Sequence, residues 1–89
     1  MFEFDPAKSE INRVKHGIDF VEAQMLFGDE NAVSLSVPRP GLTEPRWLVT
    51  GRIGDRIWTA VVTYRGNATR IISVRRARAD EEERYGQAD

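Results

Sequence analysis

The sequence predicts an α+β fold: helices in the first third of the chain, an antiparallel sheet in the middle, and a short helix at the end. Three observations carry this. Helix caps are confined to residues before Asp29, alternating apolar and polar residues run from Arg46 to Arg76 between turn motifs, and the chain closes on an acidic helical run. At 89 residues there is room for one domain with one core, burying somewhat over ~60% of the surface its unfolded chain would expose.

Phe2–Phe4 is a short strand candidate. Asp5 then caps a helix with Pro6 at its first position, where a missing N–H costs nothing. That helix runs through the apolar positions Ile11 and Val14 and ends at Gly17. A second helix begins at Asp19, which forms a capping-box pattern with Glu22. It carries Phe20, Ala23, Leu26 and Phe27 and stops at Gly28-Asp29, so residues 6–27 read as a helical hairpin. Asn31–Val37 is the next strand. Ser36–Pro45 holds three prolines and a glycine and reads as a linker.

Gly54-Asp55 is a two-residue hairpin turn that opposes Ile53 to Arg56. Arg65–Asn67 reads as a three-residue turn. These registers sort side chains onto two faces. Trp47, Val49, Trp58, Ala60, Val62, Ile72 and Val74 form an apolar face that needs the helical hairpin as its cover. Arg46, Leu48, Thr50, Arg52, Ile57, Thr59, Val61, Thr63, Ile71, Ser73 and Arg75 form the other, which is in part hydroxyl-rich and basic. A slip in the second turn would exchange Arg75 and Arg76. Ala79–Gln87 is a short helix with acids in its first turn, where the helix dipole favours them.

Charge is sorted along the chain although the total is only −1. Residues 1–45 carry four Lys/Arg against eight Asp/Glu, residues 46–78 carry eight against one, and the last eleven carry one against five. Without cysteine the chain forms no disulfide and no thiolate metal site. No apolar run approaches the ~18 residues of a membrane span, and the acidic N-terminus lacks the apolar region of a signal peptide. A cytoplasmic protein is expected.

All eight cations of the middle segment are arginine. Solvated faces mix in lysine, whereas phosphate recognition favours the guanidinium fork. A sheet face lined with Arg, Thr and Ser therefore suits a phosphodiester backbone, with a merely solvated face as the plain alternative. Arg46, Arg52, Arg70, Arg75 and Arg78 are the candidate RNA-binding residues. For catalysis the candidates are His16, Arg52, Arg75, Arg76 and Tyr85. No metal-ligand spacing, G-x-S-x-G or glycine-rich phosphate loop occurs, so any reaction is expected to need neither metal nor cofactor. Attack of a ribose 2′-OH on its own 3′-phosphate asks for in-line geometry, cations on the phosphorane and modest proton transfer. An arginine of the pair Arg75/Arg76 would stabilise the phosphorane from the end of a strand. His16, whose imidazole belongs to the class titrating nearest neutrality, or Tyr85, if neighbouring arginines lower its pKa, would move the proton. His16 reads equally as a cation at a helix C-terminus, and Tyr85 as a ring packing the last helix on the sheet.

The pattern "FDPAK…N..KHGIDF.EA...F.D" followed by "RIISVRRA…E…Y" resembles the BrnT toxins of type II toxin–antitoxin systems, and the resemblance spans nearly the whole chain. Val74 stands where typical members have alanine, and Arg76 where lysine is frequent. The resemblance implies a RelE-like fold and a metal-independent ribonuclease that inhibits translation. It also implies neutralisation by a BrnA-like antitoxin with a ribbon-helix-helix part, DNA being reached only through that antitoxin. A non-catalytic RNA- or DNA-binding module and an interaction domain that docks a partner on a sheet edge are the alternatives.

Overall fold

A computed structural model describes residues 1–38, Gly41 and residues 44–87. The elements are β1 (Phe2–Glu3), α1 (Pro6–His16), a 3-10 helix (Glu22–Gly28), β2 (Val33–Val37), β3 (Arg46–Ile53), β4 (Arg56–Arg65), β5 (Ala68–Arg76) and α2 (Ala79–Gly86). One sheet takes the order β1-β5-β4-β3-β2. It is mixed rather than purely antiparallel, because β1 runs parallel to β5 with Phe2 opposite Thr69 and Glu3 opposite Arg70. The expected linker is shorter than Ser36–Pro45: Ser36 and Val37 close β2, and residues 39, 40, 42 and 43 lie outside the described residues.

The expected helical hairpin does not form. α1 is capped as the sequence indicates, with the Asp5 carboxylate accepting from the Ala7 N–H at 2.9 Å and Gly17 at φ 80° closing its end. The capping box also forms, Glu22 N–H donating to Asp19 Oδ1 at 2.7 Å and Asp19 N–H to Glu22 Oε1 at 3.2 Å. The segment it opens is a 3-10 helix, not an α-helix. Its apolar anchors Ala23 and Leu26 are buried and stand three residues apart, the period that a 3-10 helix stacks on one face, and Phe20 in the turn before it is buried as well. This segment seats on β3 at Gly51, where an added Cβ would stand 3.0 Å from Leu26 Cδ2.

α1 also buries an unexpected face. Ile11 and Val14 are 63% and 74% exposed, while Ser9 and Asn12 are buried. The reason is the edge of β5, which the two-residue β1 covers only as far as Arg70. Beyond it, Asn12 Nδ2 donates to the Val74 carbonyl at 2.9 Å and Asn12 Oδ1 accepts from the Val74 N–H at 3.1 Å. One side-chain amide thus replaces the missing strand. The same Nδ2 donates to the Ile18 carbonyl at 2.8 Å, and Ser9 Oγ accepts from the Phe20 N–H at 2.9 Å, tying the chain after the helix back onto it.

The second hairpin turn is the two-residue Gly66-Asn67 rather than Arg65–Asn67, so Arg65 opposes Ala68; Gly66 supplies the positive φ, 57°, that such a turn requires. This slips β5 by one residue. A bulge at Val61/Val62 restores the register, since Val62 opposes Ile71 while Val61 opposes Ser73. Ile71, not Ile72, therefore joins Val49, Trp58, Ala60, Val62 and Val74 in the core with Ile18, Phe20, Ala23 and Leu26. Trp47 packs at the margin of that core, edge-on to Tyr64 with ring centroids 6.0 Å apart. Both tryptophans stand on the covered side, as the alternation predicts.

Asn12→Ala removes three hydrogen bonds and leaves buried β5 backbone unpaired. It is expected to destabilise the fold by about 2–4 kcal/mol, measured by urea unfolding. Trp58→Ala is expected to cost about 3–5 kcal/mol in the same assay.

Candidate nucleic-acid interface

The arginines of the middle segment divide between the two ends of the sheet. At the end holding the β4–β5 turn, acids from elsewhere in the chain take up their charge. Arg65 Nε lies 3.1 Å from Glu44 Oε1, and Glu3 Oε1 stands 3.9 Å from Arg65 and 3.7 Å from Arg70. Arg70 is thus paired with the strand directly beside it. Arg46 opens β3 opposite Val37 and makes no ion pair among the described residues.

The opposite end holds the β3–β4 turn. Arg52 opposes Ile57, whose carbonyl accepts from the Ala77 N–H at 3.0 Å, and one row inward Trp58 opposes Arg76. This register brings Arg52, Arg56, Arg76 and Arg78 to one end of the sheet, none with an ion pair among the described residues. They are exposed, so their guanidinium groups meet solvent.

Arg75 and Arg76 are not interchangeable. Arg76 lies on the core side, its guanidinium 5.5 Å from the Trp58 ring centroid, a cation–π placement that leaves the fork's donors open. Arg75 lies on the other side and is held by both oxygens of Glu81, at 2.7 and 2.9 Å. Glu81, 2% exposed, also accepts from the Thr59 hydroxyl at 2.9 Å and the Arg78 N–H at 2.8 Å. Thr59 gives its one proton to Glu81, so the Thr50 hydroxyl, 2.8 Å away, donates to Thr59. The Arg75 guanidinium first, then the Arg78 N–H and the Thr59 hydroxyl, hold the Glu81 carboxyl down to about 2 against the opposing effect of burial. The wet face of the sheet is thus closed at this end by α2, and Arg75 is the anchor.

α2 carries Tyr85 to an open groove of about 510 Å³ lined by Met25, Gly28, Asp29, Asn31, Arg52, Gly54 and Tyr85. The Tyr85 hydroxyl donates to Asp29 Oδ2 at 2.7 Å. Asp29 also accepts from the backbone N–H groups of Arg52 and Asn31, each at 2.9 Å. Tyr85 first, then those amides, lowers the Asp29 carboxyl below its usual range. The same bond raises Tyr85 above the usual phenol range, with burial adding to it and Arg52 opposing. Arginine neighbours therefore do not make this phenol a base; it keeps its proton and donates. The Arg52 guanidinium stands 6.0 Å from the Tyr85 ring centroid.

His16 ends α1, half-buried, one turn beyond Asn12 on the same side of the helix. From Glu3, opposite Arg70, to Asn12, on Val74, the chain advances in the direction of β5. That course carries His16 toward the Arg76 end. Asp29 and Glu81 escape a reading of the sequence alone. Asp29 reads there as the residue after a helix stop, and Glu81 as one of four consecutive acids serving the dipole of α2.

A family model described as the ribonuclease toxin, BrnT, of type II toxin–antitoxin systems matches residues 4–81. The chain belongs to the BrnT family. An antitoxin partner and an RNA substrate follow from that membership. Comparison with curated proteins finds no match. The matched span includes Asn12, Asp29, Arg75, Arg76 and Glu81, whereas β1 lies before it and Tyr85 just beyond.

Glu81→Gln breaks a buried, bidentate pair and is expected to destabilise the protein by about 3 kcal/mol, the low end for such pairs because Arg75 keeps some access to water. The folded-state pKa of Glu81 lies below its usual value of 4.5. The pair's stabilisation is therefore fully present above pH 4.5 and is lost as the pH falls toward about 2. Acid titration of the melting temperature should show a steeper fall for the native chain than for Glu81→Gln over that interval.

Proposed function

We propose that this BrnT chain cleaves RNA at the β3–β4 end of its sheet, by attack of a ribose 2′-oxygen on the adjacent phosphorus. The P–O bond to the 5′-oxygen breaks, leaving a 2′,3′-cyclic phosphate and a 5′-hydroxyl. One observation carries the reading: of the middle-segment arginines without a carboxylate partner among the described residues, all but Arg46 gather at the end where Tyr85, Asp29 and Arg52 line a groove. Developing negative charge on a phosphorane is stabilised best by donors already in place and only partly solvated.

Arg76 and Arg52 hold the phosphate, and Arg78 and Arg46 extend the contact along the strand of RNA. Arg75 acts at one remove, fixing α2 through Glu81 so that Tyr85 stays in the groove. Arg70, beside Glu3, contributes least. Tyr85 turns its one O–H from Asp29 to a phosphate or leaving oxygen, His16 accepts the 2′-OH proton, and the departing 5′-oxygen takes a proton from solvent. The arginines provide the cationic charge that a metal would otherwise supply. Loss of RNA in this way inhibits translation. A BrnA-like antitoxin with a ribbon-helix-helix part neutralises the toxin by covering the open arginines, and it alone connects the pair to DNA.

The test is cleavage of a defined RNA by purified protein. Activity is expected to persist in EDTA and to yield cyclic-phosphate ends. His16→Gln should lose activity and the acidic limb of the pH–rate profile while still binding RNA; full activity with an unaltered profile would make His16 structural. Replacing Arg52 and Arg76 together by Gln should flatten the slope of log affinity against log salt by about 0.7 for each lost contact. Arg70→Gln should change that slope less. Binding with no cleavage by any preparation would favour a non-catalytic nucleic-acid module.

A further inference from the structure

β2 forms one edge of the sheet, paired only with β3 among the described residues. Exposed strand edges template pairing with another chain, and proteins ordinarily blunt them with charge, proline, bulges or a covering element. Among the described residues β2 has none of these. Its sequence, Val33-Ser34-Leu35-Ser36-Val37, holds no charged residue and no proline, its pairing with β3 is regular, and Ser34, Leu35 and Ser36 are exposed. Leu35, 41% exposed, is an apolar side chain left at the margin of the face.

The strand also reads identically in both directions. Antiparallel pairing of β2 with β2 of a second copy, centred on Leu35, sets valine against valine, serine against serine and leucine against leucine. Whether the Leu35 pair falls on a hydrogen-bonded or a non-hydrogen-bonded site of the ladder, this register satisfies the free backbone groups of both edges. An isologous two-fold interface demands such self-complementarity, and a strand that is its own reverse meets it at every position.

We propose that β2 is a homodimerisation edge, joining two copies of the chain into one continuous ten-stranded sheet around a two-fold axis at Leu35. Residues opposite one another in an antiparallel pair point to the same face. The two Leu35 side chains therefore meet on the face that carries Leu48 and Val61, their cross-strand neighbours, and extend that apolar row across the junction. Both copies present their arginine-bearing faces on one side, with their β3–β4 ends at opposite corners. A five-residue edge buries little area, so the dimer is weak and dissociates on dilution. The pairing rests on the strand alone and does not depend on the cleavage chemistry.

The chain has no cysteine, so single cysteines report the register directly. Leu35→Cys places two thiols opposite each other, whereas Ser34→Cys faces the second copy's Ser36. Under mild oxidation Leu35→Cys is expected to form a covalent dimer at least about tenfold faster than Ser34→Cys, opposing Cβ atoms in a strand pair lying near disulfide distance. The double variant Ser34→Cys/Ser36→Cys should recover rapid cross-linking. In sedimentation equilibrium the unmodified chain should rise from its monomer mass of 10.1 kDa toward twice that with concentration. Leu35→Lys, which sets like charges opposite one another, should stay monomeric with an unchanged circular-dichroism spectrum. Equal cross-linking of Leu35→Cys and Ser34→Cys, or an unmodified chain that remains at monomer mass throughout, would overturn the proposal.

Discussion

The fold depends on one side-chain amide, that of Asn12. A sheet whose edge strand β5 is covered for only two residues leaves buried backbone groups without partners, and such groups cost as much as lost hydrogen bonds. Asn12 meets both the N–H and the carbonyl of Val74 and so stands in for a strand. The arrangement of the covered side depends on that contact. It sets the distance and direction of α1, brings the turn at Gly17 back so that Ile18 and Phe20 enter the core, and directs the helix end bearing His16 along β5. It also explains why α1 buries two polar residues: its partner is a strand edge, not an apolar surface.

The other side of the sheet is organised by a second polar centre. Glu81 gathers Arg75, Thr59 and the Arg78 N–H around a buried carboxylate, and Thr50 extends the chain of donors. Burying such a pair sets desolvation against attraction, so much of the gain in stability cancels while the constraint on position remains. Its effect here is positional. One helical turn on from Glu81, Tyr85 reaches the groove and closes on Asp29.

Charge and fold are thereby connected. A chain of nearly zero net charge builds an uneven surface, because acids from β1, from the stretch before β3 and from α2 each fold back onto a particular arginine. Glu3, Glu44 and Glu81 cancel Arg70, Arg65 and Arg75. Among the described residues, the middle-segment arginines that escape are, Arg46 apart, the ones nearest the β3–β4 turn. Positive charge left after internal pairing, rather than the count of arginines in the segment, marks the surface suited to a polyanion.

Local chemistry was legible in the residues themselves. Asp5, Pro6 and Gly17 bound α1, Asp19 and Glu22 form their capping box, Gly54-Asp55 makes its turn, and the alternation from Trp47 to Val62 places both tryptophans on the covered side. Each rests on contacts between residues close in sequence, where spacing is geometry. The family pattern was legible for the same reason, being a set of short motifs. The features that only the tertiary structure decided involve groups far apart in the chain. The bulge at Val61/Val62 returned Val74 to the core after the shorter turn had brought Ile71 there, and the segment after the capping box closed on Gly51 as a 3-10 helix rather than an α-helix. Sixty-two residues separate Asn12 from Val74, and fifty-six separate Asp29 from Tyr85. No spacing rule joins such pairs, so which arginines are neutralised and which stay open became visible only once the strands were in register.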